Sequence, residues 1–234
     1  MRFVTLSLAL TLASAAMPAA AQDTASGFNM SESAEANSRN GLSRSPEKQK
    51  QQFEFARVFG KCAYGLNPDR ARLALDQSVE GKAARRLEFP NYVERVDSCS
   101  PVRSLLDADL MRAGLAEASI LDPENERTIP QGGDVEKVGT FLKAVTVPKV
   151  DKSDPFVMHQ LAAQCRVAMA PYPARALLDT EPGSGDEAAA LQGWKSVTQG
   201  CDSLLQDVTP LSPYFERAYA ALALYYWIDF AGEA

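Results

Sequence analysis

The sequence of 234 residues predicts an all-α fold of two tandem Cys-linked helical units, each of about four helices. Three observations predict it. Helix-start signals of Pro beside Ser, Asn or Asp punctuate the chain at helix-length intervals. Between them, apolar residues recur three and four positions apart, the period of a helix with one buried face. Four cysteines fall into two pairs of nearly equal spacing, with Cys99 37 positions after Cys62 and Cys201 36 after Cys165.

The opening segment predicts export. Arg2 is followed by an apolar run from Phe3 to Leu12, then by small residues ending in Ala19-Ala20-Ala21. This is the layout of a signal peptide over residues 1–21 with a cut near Ala21. The apolar run is too short for a bilayer span, which takes roughly twenty residues. Without those residues the chain keeps 23 basic and 30 acidic side chains. That acidic balance, with no basic cluster, argues against a nucleic-acid partner. Ala218 to Ala231 is also too short to span a bilayer and contains Asp229, so no membrane span is expected in the mature chain. Residues 22–44, rich in Ser, Asn, Glu and Ala, predict a flexible polar tail, because so few large apolar residues cannot offset the entropy of ordering them.

The first unit is expected over residues 45–122. Ser45-Pro46-Glu47 offers an N-cap, a proline for the first turn and an early acid. Phe55, Phe59 and Cys62 then mark a buried stripe. Asn67-Pro68-Asp69 opens a second helix with Ala71, Leu75 and Val79. Pro90-Asn91 opens a third with Tyr92, Val96 and Cys99. Asp107 caps a fourth, from about Ala108 to Leu121, stopped by Asp122-Pro123. A polar connector over 123–152 contains one apolar piece, Val138 to Val150, which reads equally as a short helix or an extended arm. The second unit, 153–234, repeats the order. Asp154-Pro155 starts a helix with Met158, Leu161, Ala162 and Cys165, and Pro171 to Asp179 forms the next. Ser184-Gly185-Asp186-Glu187 is a capping box opening a helix that carries Leu191, Trp194 and Cys201, and Ser212-Pro213 starts the last, through about Phe230.

Superposing the cysteines sets Pro68 on Pro171, Ala71 on Ala174, Arg72 on Arg175, Leu75 on Leu178, Asp76 on Asp179 and Tyr92 on Trp194. With a small gap, Arg112 meets Arg217. Shared order, cap chemistry and cysteine spacing point to an internal duplication. In an exported chain the cysteines predict two disulfides, and three pairings are possible. Cys62–Cys99 and Cys165–Cys201 are favoured, because an ancestral single unit could already close its own bond.

Little catalytic chemistry is legible. His159, the one histidine, has no motif around it and reads as a polar residue at the edge of a packing face. Hydrolase, zinc, phosphate-loop and EF-hand patterns are absent, and no cofactor or metal is expected. The residues repeated in both units carry the functional interest. Arg72 with Asp76, and Arg175 with Asp179, stand four apart and can pair along a helix face. With Arg112 and Arg217 they serve either as structural ties or as a paired site for an anionic ligand. On the last helix, Phe215, Tyr219, Leu222 and Tyr226 form one core stripe, whereas Tyr225 and Trp227 point elsewhere; core packing is the favoured reading of these aromatics, and, where exposed, Tyr225 and Trp227 offer a contact surface for a partner, a second subunit or a glycan.

The run Pro171-x-x-Ala174-Arg175-x-Leu177-Leu178-Asp179-Thr180, the Gly-Ser capping box, Cys201 and Arg217-Ala218 resemble uncharacterised small exported proteins of Gram-negative bacteria. The resemblance runs through most of residues 53–230, more loosely in the first half. It implies a periplasmic or secreted helical Cys-linked repeat and carries no activity. The expected function is a non-enzymatic periplasmic binding or scaffolding protein meeting an envelope protein or glycan through the last helix and the groove between units. The alternatives are a hydrolase or lyase using carboxylates and the paired arginines in that groove, and an envelope inhibitor or stress protein.

Overall fold

A computed structural model describes residues 46–75, 92–93, 95–99, 108–125, 127–145 and 155–232. Expectations placed on the signal peptide, the polar tail, Asp76, Val79, Asp107 and residues 146–150 lie outside the described residues.

Helix α1 runs Pro46–Leu66, and after Asn67 helix α2 runs Pro68–Leu75. Asn67 is an N-cap, its side-chain oxygen accepting from the Arg70 amide at 3.0 Å. Helix α3 spans Ala108–Ile120, ending as expected before Asp122-Pro123. The undecided connector piece is helical, with α4 at Val135–Val145. Its start is fixed by Asp134, whose carboxylate accepts from the Lys137 amide at 2.9 Å. Helices α5 (Pro155–Met169) and α6 (Pro171–Leu178) follow, then α7 (Gly185–Val197) and α8 (Pro213–Gly232). The fold is all-α, with no strand among the described residues.

The buried face of α1 is set by Phe53, Ala56, Phe59, Gly60 and Ala63. Phe55 and Cys62, expected on that stripe, sit at its edge and on its exposed side respectively. The reason is the partner: α1 packs backbone to backbone on α3. A Cβ added at Gly60 would lie 2.1 Å from the Gly114 carbonyl oxygen, and one at Gly114 would lie 2.1 Å from that of Ala56. Only glycines permit this approach. A similar shift occurs on α5, where Phe156, His159, Ala163 and Val167 are buried while Met158 and Leu161 are only half-buried.

Helix α8 is the central element. It packs on α3 and α5, with α1, α4, α6 and α7 also touching it. Phe215 and every residue from Arg217 to Ile228 are buried. A helix apolar on all sides belongs in the middle of a core. Phe141 of α4 meets Trp227 edge-on with centroids 5.2 Å apart, and Phe156 of α5 lies 6.3 Å from Phe215.

Two disulfides fasten this arrangement. Cys62–Cys99 joins α1 to the short 3₁₀ turn Asp97–Cys99, with Cα atoms 5.5 Å apart. Cys165–Cys201 joins α5 to the 3₁₀ segment Gln199–Leu205, with Cα atoms 5.9 Å apart. Cys201 therefore stands beyond α7 rather than on it, because the α-helix stops at Val197. Closing loops of this length stabilises by about 3–4 kcal/mol each in the chain-entropy model. No described helix is long and apolar enough to cross a membrane.

Candidate functional site

Among the described residues, the most charged interior gathers around Arg217. Its backbone belongs to the central helix, so its side chain has no route to water and is 0% exposed. A buried guanidinium must find acceptors, and it finds them on three other elements. One terminal nitrogen donates to the Leu177 carbonyl at 2.9 Å, to Glu187 Oε1 at 3.1 Å and to the Thr180 hydroxyl at 3.2 Å. The other donates to the Leu178 carbonyl at 2.8 Å and to Glu117 Oε1 at 2.9 Å. Leu177 and Leu178 end α6, where carbonyls have no partner within the helix. Arg217 thus caps α6 from the side while tying it to α3 and α7.

Both carboxylates are shared. Glu117 Oε1 also accepts from Arg57 Nε of α1 at 3.0 Å. Glu187 Oε2 accepts from the Gly183 amide at 2.6 Å, and the Glu187 amide donates to Ser184 Oγ at 3.1 Å. The capping box read from the sequence is present in altered form, its acid reaching one residue farther back than the N-cap. Gly183 makes this turn with φ of +78°, the left-handed region where glycine is favoured. Two arginines and two glutamates balance in charge here, Arg217, Glu117 and Glu187 buried and Arg57 half-buried at the edge, as a buried ionic group requires.

Arg175 performs the complementary task. Its Nε donates to both Asp179 oxygens at 3.1 and 3.3 Å, the expected four-residue pair, and its terminal nitrogen donates to the Ile120 carbonyl at 2.8 Å. Arg175 of α6 caps the end of α3, and Arg217 of α8 caps the end of α6. Arg72 donates to the Tyr64 hydroxyl at 3.1 Å and meets Asp69 three positions earlier at 3.4 Å. Its expected partner Asp76 lies outside the described residues. Arg112 is half-buried on α3, five positions before Glu117.

The aromatic contact surface does not exist in the expected form. Trp227 is 0% and Tyr225 3% exposed. A single helical stripe was expected to be buried, but α8 is enclosed on all sides by other helices. Arg127, which forms an ion pair with Asp229, lies over the Tyr225 ring 5.0 Å from its centroid, and the Lys137 ammonium lies 5.4 Å from that of Trp227. Burial, with Asp229 adding to it, pushes the Tyr225 hydroxyl well above its ordinary range.

His159 is buried on α5, and its Nε2–H donates to the Thr209 carbonyl at 2.8 Å. Desolvation holds its pKa below 6.5, outweighing the stabilising Thr209 bond, so the neutral ring is favoured. No group of three or more candidate metal ligands occurs among the described residues.

Sequence reasoning missed Arg57, Glu117 and Arg166, the last buried and bonded to Asp202 at 2.6 Å, and read Glu187 only as a capping-box acid. Glu117 did carry a signal. It is the one acid among Leu110, Ala113, Gly114, Leu115 and Ala116, and a carboxylate in such an apolar setting needs a cation. No family model, curated protein or solved structure matches the chain.

Proposed function

We propose that this chain is an exported, non-enzymatic binding or scaffolding protein of the bacterial envelope, made of two copied Cys-linked helical units. In this reading, residues 1–21 are a signal peptide, 22–44 a polar tail, 45–122 and 153–234 the two units, and 123–152 their connector. The resemblance to small exported Gram-negative proteins supports the same periplasmic or secreted location. Two closed disulfides suit an oxidising compartment. A helix-to-turn bond of nearly the same span in each half supports the duplication.

The observation that carries the non-enzymatic reading is the occupation of Arg217. Five hydrogen bonds to the protein's own groups hold this arginine inside the core. A hydrolase or lyase using it in a groove between the units would have to break that frame. Arg175 is similarly engaged at the end of α3. These shared arginines position helices for a surface elsewhere.

The surface that replaces the buried aromatic one is the outer side of α1 and α2. Val58, Leu66 and Leu73 are 63%, 60% and 66% exposed there, within sixteen positions of one another. Large apolar side chains held in water are the usual raw material of a contact face. Affinity capture from periplasmic extract, with the full mature chain as bait, tests the reading. A specific envelope protein or glycan should be retained by the natural chain and lost with Val58→Ser, Leu66→Ser and Leu73→Ser together. Equal retention by both baits would refute the assignment of this face.

A further inference from the structure

The two disulfides stand in different surroundings, and that difference carries a chemical consequence. Cys165 is half-buried and Cys201 fully buried, whereas Cys62 is exposed and its partner Cys99 is 3% exposed. The α1 surface around Cys62 is open on both sides along the helix. Val58, one turn before, is 63% exposed, and Leu66, one turn after, is 60% exposed. A Cβ added at Gly65 would meet nothing within 4 Å. Cys62 is therefore the end of the bond that stands on an open surface, where an incoming thiol meets the fewest neighbours, and displacement at sulfur depends on such access.

We propose that Cys62–Cys99 is a thiol-exchange site, with Cys62 the sulfur attacked and a small or protein-borne dithiol the co-reactant. The dithiol's thiolate bonds to Cys62 Sγ, and the S–S bond breaks with its electron pair leaving on Cys99 Sγ, which takes a proton. The second thiolate of the dithiol then attacks the mixed disulfide and releases Cys62 as a thiol after protonation. The protein gains two electrons and two protons, and the dithiol is oxidised to its disulfide.

The exchange acts on structure near the bond. Tyr92 and Val96 are buried in the turn that Cys99 anchors, and the Tyr92 hydroxyl donates to the Ala63 carbonyl of α1 at 3.3 Å. The Val96 and Cys99 amides donate to the Tyr92 and Val96 carbonyls at 3.2 and 2.8 Å. Reduction loosens this turn from α1 and leaves in place the bonds of Arg217 to α3, α6 and α7.

The test uses the oxidised full chain under native conditions. Limiting dithiothreitol followed by alkylation and peptide mass spectrometry should label Cys62 and Cys99 at least tenfold faster than Cys165 and Cys201. Excess reduced glutathione, quenched with acid, should leave glutathione on Cys62. After selective reduction, hydrogen exchange should rise at least tenfold at the Val96 and Cys99 amides and stay unchanged in α5 and α8. Equal labelling rates, a reversed order, glutathione on Cys99, or exchange rising together throughout the chain would each overturn the proposal.

Discussion

Arg217 and Glu117 meet at 2.9 Å although 100 positions separate them in the chain. Both are sealed from solvent, at 0% and 3% exposure. Their bond joins α8 to α3, and through Arg57 and Glu187 it reaches α1 and the start of α7. Removing one partner of such a pair leaves the other charged and buried. Arg217→Met is therefore expected to lower unfolding free energy by about 3–5 kcal/mol in urea titrations. Arg217→Lys should recover only part of this, because one ammonium cannot span two carboxylates and two carbonyls. The Glu117→Gln, Arg217→Met double variant should lose clearly less than the sum of its single variants.

The α1–α3 crossing depends on missing side chains. Gly60→Ala and Gly114→Ala each place a Cβ against backbone, which cannot rotate away. Either substitution should destabilise the protein by at least about 1–3 kcal/mol, despite the higher helix propensity of alanine. Thermal melts of both variants check this, with Gly139→Ala as a control. That position is helical, with nothing within 4 Å of an added Cβ, and its melting temperature should not fall.

Burial of neutral His159 makes stability depend on pH in a defined direction. Its folded-state pKa lies below the ordinary 6.5, so the unfolded chain binds the proton more readily. The contribution is complete above about pH 7 and is lost as pH falls through 6.5 toward the folded pKa, with a slope of at most about 1.4 kcal/mol per pH unit. Urea unfolding from pH 7.5 to 5.5 should show this decline. His159→Gln keeps a donor for Thr209 and should flatten it.

Enclosure of α8 predicts a protected fluorophore pair. Trp194 and Trp227 are 1% and 0% exposed, so native emission should be blue-shifted from the denatured chain. Iodide should quench it only weakly. Strong quenching in a Trp194→Phe variant would contradict the burial of Trp227.

Helix starts were legible because their determinants are local. Pro46, Asn67-Pro68, Pro155, Pro171 and Ser184 act within one turn of themselves, and each precedes or opens a helix where expected. The start of α4 was equally local, in Asp134 with Val138, Phe141 and Leu142, although the apolar piece from Val138 to Val150 left helix and extended arm equally open. Buried faces were harder. Phe55 loses to Phe53 because Gly114 draws α1 in through Gly60, a contact between positions 54 apart in sequence. Tyr225 and Trp227 were left between core and surface for a similar reason: one helix shows its own periodicity, not how many neighbours surround it, and the structure settles both in the core. The site residues divided likewise. Arg175 with Asp179 was visible at four-residue spacing, while Arg217 with Glu117 and Glu187 appears only when α3, α6, α7 and α8 come together.

The pairing of the cysteines underlies the whole account, since each bond must close within one half of the chain. Peptide mapping of the oxidised, unreduced protein reads it directly. Two crosslinked peptides are expected, one holding Cys62 with Cys99 and the other Cys165 with Cys201. Peptides joining a cysteine of the first half to one of the second, or four unpaired thiols, would contradict it.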